Sequence, residues 1–252
     1  MRFRVLIADK GDSDIHTWSS IPLWKECGCE AVGKVSGIQD VLNAAAKHSF
    51  DILLCINRPA ALTAPDLLRH LSRQYSEIPV VVISEIEDSQ SMRACFLLGT
   101  VDFLIRPFAE HDFCSAFARA AEQIRNQTVK TEYLMVLDRM LGSLALSDEH
   151  AAFQNRLREF LVESQGMTAT TESAADYFGF HRDYFSRYFK SRTGTTFSAF
   201  YKRFLTEYAG LLLESGYFQV QDVSRMLGFS SADYFTKVFR KRTGKKPSEL
   251  KK

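Results

Sequence analysis

At 252 residues and 28.7 kDa, the chain is long enough for two ordinary domains. Hydrophobic residues make up 46% and charged residues 25%, which excludes collagen-like, low-complexity and disordered classes. The net charge of +2 hides an asymmetry: residues 1–150 hold 15 basic and 20 acidic side chains, and residues 151–252 hold 17 and 10. A basic second half is a prior for contact with nucleic acid or an anionic surface. That half also carries 20 of the aromatic residues, mostly at helical spacing, as expected of a small helical core filled by rings. No apolar stretch approaches the roughly 20 residues of a membrane span. The N-terminal run ends at Asp9, too early for a signal peptide. We therefore expect a cytoplasmic chain without membrane contact. Of Cys27, Cys29, Cys55, Cys95 and Cys114, only the first two are close in sequence. They are expected to be reduced, buried thiols, with no metal or other cofactor.

In chain order, residues 3–8, 30–35, 51–56, 79–84 and 101–105 read as strands. They are short, often β-branched and apolar on both faces, the pattern of a parallel sheet covered by helices. Helices are expected between them. Residues 38–48 place Ile38, Val41, Leu42 and Ala45 on one face; 65–74 start at Pro65 and align Leu67, Leu68 and Leu71. Residues 89–98 turn Met92, Cys95, Phe96 and Leu98 inward and stop at Gly99; 110–125 turn Phe113, Phe117, Ala120, Ala121 and Ile124 inward. The alternation predicts a doubly wound α/β domain over 1–125, with five parallel strands. Ligands bind such sheets outside the carboxyl ends of the strands, so Asp9, Lys10, Asn57, Ser84 and Arg106 are the positions to inspect.

The phrases VLIAD, PVVVIS and GTVDFLIRPF, in this order, resemble the receiver domain of two-component response regulators. The resemblance implies two acidic Mg²⁺ ligands after the first strand, a phospho-accepting Asp at the third, a Ser/Thr at the fourth and Lys-Pro at the fifth. Asp9 and Ser84 match. Lys10 replaces the second acidic ligand, Arg106 stands for the Lys, and the acceptor position falls on Ile56 or Asn57. Mg²⁺ needs hard oxygen ligands, and Lys10 would repel it. The expectation is a degenerate receiver that takes no phosphoryl group. Lys10 and Arg106 would then pair with Asp9, bind a small anion, or be a surface remnant. Asp12 is a weak substitute for the missing carboxylate.

The second half contains a repeat. YFSRYFKSRTG at 184–194 and YFTKVFRKRTG at 234–244 lie 50 positions apart, each preceded by a shorter match, YFGF at 177–180 and MLGF at 226–229. Each copy reads as helix, Gly-containing turn, helix. Small Ala174, Ala175, Val223 and Ser224 permit close helix approach. Tyr184, Phe185, Tyr188 and Phe189, and likewise Tyr234, Phe235, Val238 and Phe239, are expected to bury a face. Gly194 and Gly244 serve as caps. Between the copies, Phe197, Phe200, Tyr201, Phe204, Leu205, Tyr208, Leu211 and Leu212 mark one long amphipathic helix.

Over about residues 153–250, and most specifically in GFSSADYFTKVFRKRTGKKPSEL, this all-α double module resembles the AraC/XylS-type DNA-binding domain. The resemblance implies two helix-turn-helix units whose second helices enter successive major grooves of double-stranded DNA. Base-reading candidates are His181, Arg182, Ser186 and Arg187 in the first copy, with Asp183 less certain, and Ser230, Ser231, Asp233, Thr236 and Lys237 in the second. Lys190, Lys241, Arg242, Lys245 and Lys246 are candidate phosphate contacts.

Residues 126–150 read as a helical linker through Tyr133, Leu134, Val136, Leu137, Met140, Leu141 and Leu144, weakened by Gly142. It would act as a dimer helix, a signalling rod or packing. The AraC-type unit is expected over 151–252. The function expected is that of a sequence-specific transcription regulator that can pair as a homodimer and receive a signalling protein at its receiver-like domain. The rivals are a phosphorylation-controlled regulator with a non-standard acceptor and a protein-interaction adaptor. His16, His48, His70, His111, His150 and His181 are scattered, and no catalytic pattern suggests an enzyme.

Overall fold

The computed structural model describes residues 2–11, 15–16, 20–58, 62–144, 151–164 and 169–250. Asp12, His150 and the end of the expected linker lie outside the described residues. Two compact units divide the chain, Met1–Gln127 and Thr128–Lys252.

The first unit runs β1 (Phe3–Ala8), α1 (Leu23–Glu26), β2 (Cys29–Val35), α2 (Ile38–Ala46), β3 (Ile52–Asn57), α3 (Ala64–Leu71), β4 (Val80–Ser84), α4 (Ser89–Leu97), β5 (Asp102–Ile105) and the start of α5 (Glu110–Gly142). Among the described residues the sheet has the order β2-β1-β3-β4-β5, and every pairing is parallel. β3 and β4 are buried at every residue, as their two-faced apolar sequences require. In β2 the ladder shifts opposite Val5 and Leu6, and the additional residue Val32 is 43% exposed. The Thr63 hydroxyl caps α3 by accepting from the Asp66 amide, and Pro65 sits in its first turn. Gly99, at φ +87°, follows the end of α4.

Two readings change, at Phe96 and at the cysteines: Cys29, Cys55 and Cys95 are buried as expected, but Cys27 and Cys114 are half-buried. Cys95 on α4 is fully buried, but Phe96 is 49% exposed. Both cannot point inward from adjacent helical positions when the stripe is this narrow. The thiol that approaches Cys27 is that of Cys114, 87 positions away, with its Sγ at 3.0 Å. Burial and the neighbouring Cys114 push the Cys27 thiol upward from its usual range.

The second unit holds the rest of α5, then α6 (Ala151–Glu163), α7 (Thr171–Phe178), α8 (Arg182–Thr193), α9 (Phe197–Glu214), α10 (Val220–Met226), α11 (Ala232–Thr243) and a 3₁₀ turn at Pro247–Glu249. The segment expected as a linker is helical through Gly142, continuous with α5. Residues after Gln127 belong to the core of the second unit. Tyr133, Val136, Leu137, Met140 and Leu141 are buried there beside Phe160, Leu161, Phe204 and Tyr208. The Tyr133 hydroxyl donates to the Leu161 carbonyl and the Tyr208 hydroxyl to the Val129 carbonyl. Packing is therefore what this stripe does. α9 is the long helix expected, with Phe197, Phe200, Tyr201, Phe204, Tyr208, Leu212 and Leu213 buried. Among the described residues no helix is long and apolar enough to cross a membrane.

Candidate nucleic-acid interface and receiver-like pocket

Register builds the pocket of the first unit. Ala8 lies beside Cys55, and Asn57 beside Ser84, so the carboxyl ends of β1, β3 and β4 are adjacent. Asp9, Asn57 and Ser84 are polar and essentially fully buried. The Asn57 side chain lies at this edge: its Nδ2 donates to Ser84 Oγ at 3.3 Å and its Oδ1 accepts from the Ala64 amide at 2.9 Å. Ile56, the alternative acceptor position, is a buried apolar side chain in the core. Asn57 is thus the residue at the strand tip.

The cation placed on Asp9 is neither Lys10 nor Arg106 but Arg58, whose Nε donates to Asp9 Oδ1 at 3.1 Å. Its Nη1 reaches Glu85 at 3.0 Å, and the Gly11 amide also donates to Asp9 Oδ1 at 2.8 Å. These acidic neighbours, the hydrogen bond to Asp9 foremost, hold the Arg58 guanidinium more firmly in its charged form. Lys10 and Arg106 are exposed, and the Arg106 amide bonds the Ser84 carbonyl. Among the described residues the one buried carboxylate at this edge, Asp9, carries a guanidinium, and its neighbour at the strand tip is an amide. Arg58 follows β3 directly. Its position at the carboxyl edge of a parallel strand is the signal that points to it.

In the second unit each half of the repeat folds as expected. α7 begins with a capping box between Thr170 and Ser173, turns at Gly179 (φ +69°), and passes to α8. α10 passes to α11 through Gly228 (φ +73°) and Phe229. Ala174, Ala175, Val223 and Ser224 are buried, so their small size sets the approach of the paired helices. Gly194 and Gly244 end α8 and α11 in the left-handed region. The Thr193 and Thr243 hydroxyls repeat one contact, 2.9 Å from the Phe189 and Phe239 carbonyls respectively.

The outward faces of α8 and α11 repeat too. Phe185, Phe189, Phe235 and Phe239 are buried, whereas Tyr184 and Tyr234 are 51% and 55% exposed, so the tyrosines expected in the core face solvent. At these two positions the Phe takes the core and the Tyr turns outward. At about 100° per residue, Asp183, Arg187 and Lys190 sit opposite the buried Phe pair, as do Asp233, Lys237 and Arg240. All six are exposed. Asp183 gains weight by this placement, and Arg240 joins the face.

The remaining candidates divide by their local contacts. His181 is the exposed N-cap of α8. Arg182 is exposed and bonded by Nε to Glu172 at 2.8 Å, a tie of only ~0–1 kcal/mol at such exposure. Ser186 is half-buried and donates to the Arg182 carbonyl. Ser230 is exposed, and Ser231 caps α11 by accepting from the Tyr234 amide at 3.1 Å. Thr236 is half-buried. Lys241 and Arg242 are exposed near the end of α11. Among the described residues Arg187 makes no ion pair, which leaves its fork available.

Residues 174–252 match the family described as a helix-turn-helix domain. The chain is 28% identical over 114 residues to the uncharacterized HTH-type transcriptional regulator YijO of Escherichia coli (strain K12), covering 45% of this chain and 40% of that protein. It is 24% identical over 137 residues to the transcriptional regulatory protein MalR of Bacillus subtilis (strain 168), covering 54% and 57%. The chain thus spans about half the length of these relatives. The response regulator StyR shares the fold over 81% of this chain and 98% of its own, at a TM-score of 0.51 and 15% identity. The class so defined is a receiver-like α/β fold followed by a helix-turn-helix domain.

Proposed function

We propose that the protein is a cytoplasmic, sequence-specific DNA-binding transcription regulator whose receiver-like unit works without Mg²⁺-dependent phosphorylation. The observation that carries the first part is the twice-presented outward face, Asp183, Arg187 and Lys190 repeated as Asp233, Lys237 and Arg240. A helix in the major groove reads base edges with the centre of such a face, where Arg187 lies, and meets phosphates with its flanks, where Lys190 lies; an Arg without an ion pair can hold guanine by two parallel hydrogen bonds. His181, Ser230 and Ser231 stand at the helix starts nearest the groove floor. Lys241, Arg242, Lys245 and Lys246 supply phosphate contacts, which position the protein without specifying sequence.

The second part is supported by Asn57 and Arg58. An amide offers no anionic oxygen to attack phosphorus, and Asn57 Oδ1 is already engaged by Ala64. The guanidinium on Asp9 stands where a divalent cation is needed. In this reading the input arrives through a signalling protein at the first unit, and two chains pair on DNA. Selection of bound sequences from random duplexes tests the reading: a defined motif with salt-dependent affinity is expected. Binding indifferent to sequence and salt would leave the adaptor reading instead. Acetyl phosphate with Mg²⁺ is expected to leave the chain's mass unchanged, and a phosphorylated product would sink the second part.

A further inference from the structure

Both outward helices carry a tyrosine that their packing does not use. Tyr184 is the third residue of α8 and Tyr234 the third of α11. Each ring is steadied along one side by the aromatic residue of the preceding turn. Tyr184 lies edge-on to Phe180 with centroids 4.9 Å apart, and Tyr234 lies 6.1 Å from Phe229. Tyr184 also stacks 6.1 Å from Tyr188. The rest of each ring is in solvent, and neither hydroxyl has a hydrogen-bond partner among the described residues. Two buried tyrosines of this unit behave differently, since Tyr133 and Tyr208 donate to carbonyls of their own core. An exposed ring held in one orientation with its donor unspent suits contact with a polar partner at little conformational cost.

We infer that Tyr184 and Tyr234 are a matched pair of DNA-backbone contacts, each donating its hydroxyl to a phosphate oxygen on the same wall of two successive major grooves. The inference rests on the DNA-binding reading above. Its geometry comes from the helix itself. Arg187 lies near the centre of the outward face, and Tyr184 lies about 60° to its side. The centre of a helix seated in the groove meets base edges, and its flank meets the phosphate wall. Lys237 and Tyr234 repeat this relation in α11. A neutral hydroxyl on a phosphate fixes orientation, carries no base information and releases no counterion.

That property separates the tyrosines from the lysines. The full chain is titrated by fluorescence anisotropy against a duplex selected from random sequence and against a scrambled duplex, over a salt series. Y184F and Y234F keep the rings and remove only the hydroxyls, and thermal melts confirm that they fold. Each is expected to weaken binding roughly threefold to tenfold on both duplexes alike, the size of one net hydrogen bond, with the salt slope unchanged. K190A, by contrast, lowers the slope by about one phosphate contact. Wild-type affinity in both Phe variants overturns the inference, and so does a loss confined to the selected duplex, which would make the tyrosines base readers. A wild-type chain that binds neither duplex removes the DNA-binding reading, and the inference with it.

Discussion

Replacing Arg58 by Ala isolates what holds the pocket of the first unit. Asp9 is fully buried, and the guanidinium 3.1 Å away is its charged partner, with the Arg58 side chain 33% exposed. Removing one member of a fully buried pair costs ~3–5 kcal/mol, because the other charge is left without compensation. Solvent access to Arg58 reduces this, and the Gly11 amide still serves Asp9, so we expect ~2 kcal/mol. At a urea dependence of ~2 kcal/mol per molar, the midpoint of the first unit falls by about 1 M. Trp18 and Trp24 both lie in that unit, so tryptophan fluorescence follows it alone. Asp9→Asn in the Arg58→Ala background should recover part of the loss, since it removes the stranded charge. Mg²⁺ should leave the wild-type midpoint in place and raise that of Arg58→Ala. A shift below about 0.5 kcal/mol, the range of an ordinary surface substitution, or equal Mg²⁺ stabilisation of the wild type, would refute the reasoning.

Three further outcomes are expected. A fragment of residues 128–252 should melt cooperatively by circular dichroism, whereas 151–252 should not. The shorter piece loses Tyr133, Val136, Leu137, Met140 and Leu141 from the core, an upper bound on the order of 10 kcal/mol against a typical total of ~5–15. In anisotropy, Arg187→Ala should flatten the affinity difference between selected and scrambled duplexes, a loss of ~1–3 kcal/mol on the selected one, whereas Lys246→Ala should weaken both equally. Glu132 has a buried Oε2 without a partner among the described residues, and burial, then Glu214, raises its pKa despite Arg139. A raised folded-state value means that stability falls as pH rises through that window. Glu132→Gln should therefore stabilise the second unit at neutral pH by only roughly a few tenths of a kcal/mol after solvent screening, with the gain vanishing in acid denaturation profiles below the carboxylate range.

Much of this architecture was legible because it is periodic. The two-faced apolar runs of β3 and β4 admit no other placement, and the repeated Phe, Gly and Thr positions mark the double helix-turn-helix. What stayed hidden depends on reach or on competition between neighbours. Arg58 meets Asp9 across loops, which no spacing rule encodes. Tyr184 and Phe185 are equally apolar by count, and only packing decides which turns outward. The unit boundary passes unannounced because residues 110–141 contain neither Gly nor Pro. One helix therefore runs on while its buried residues change from one core to the other.

The duplicated module is also a two-row comparison written within one chain. Between 184–194 and 234–244 six positions are identical. The two Phe pairs fill the core, the Thr pair ties back the last turn, and the Gly pair takes the left-handed cap. Those four identities are requirements of the scaffold, which any copy must keep in order to fold. The Tyr pair falls outside that list, whereas Arg192 covers the Tyr188 and Phe153 rings of the first copy. An identity that folding does not demand marks a task both copies still share. Among the five positions where the rows diverge, Arg187 against Lys237 and Ser186 against Thr236 are where the two copies can have learned different words.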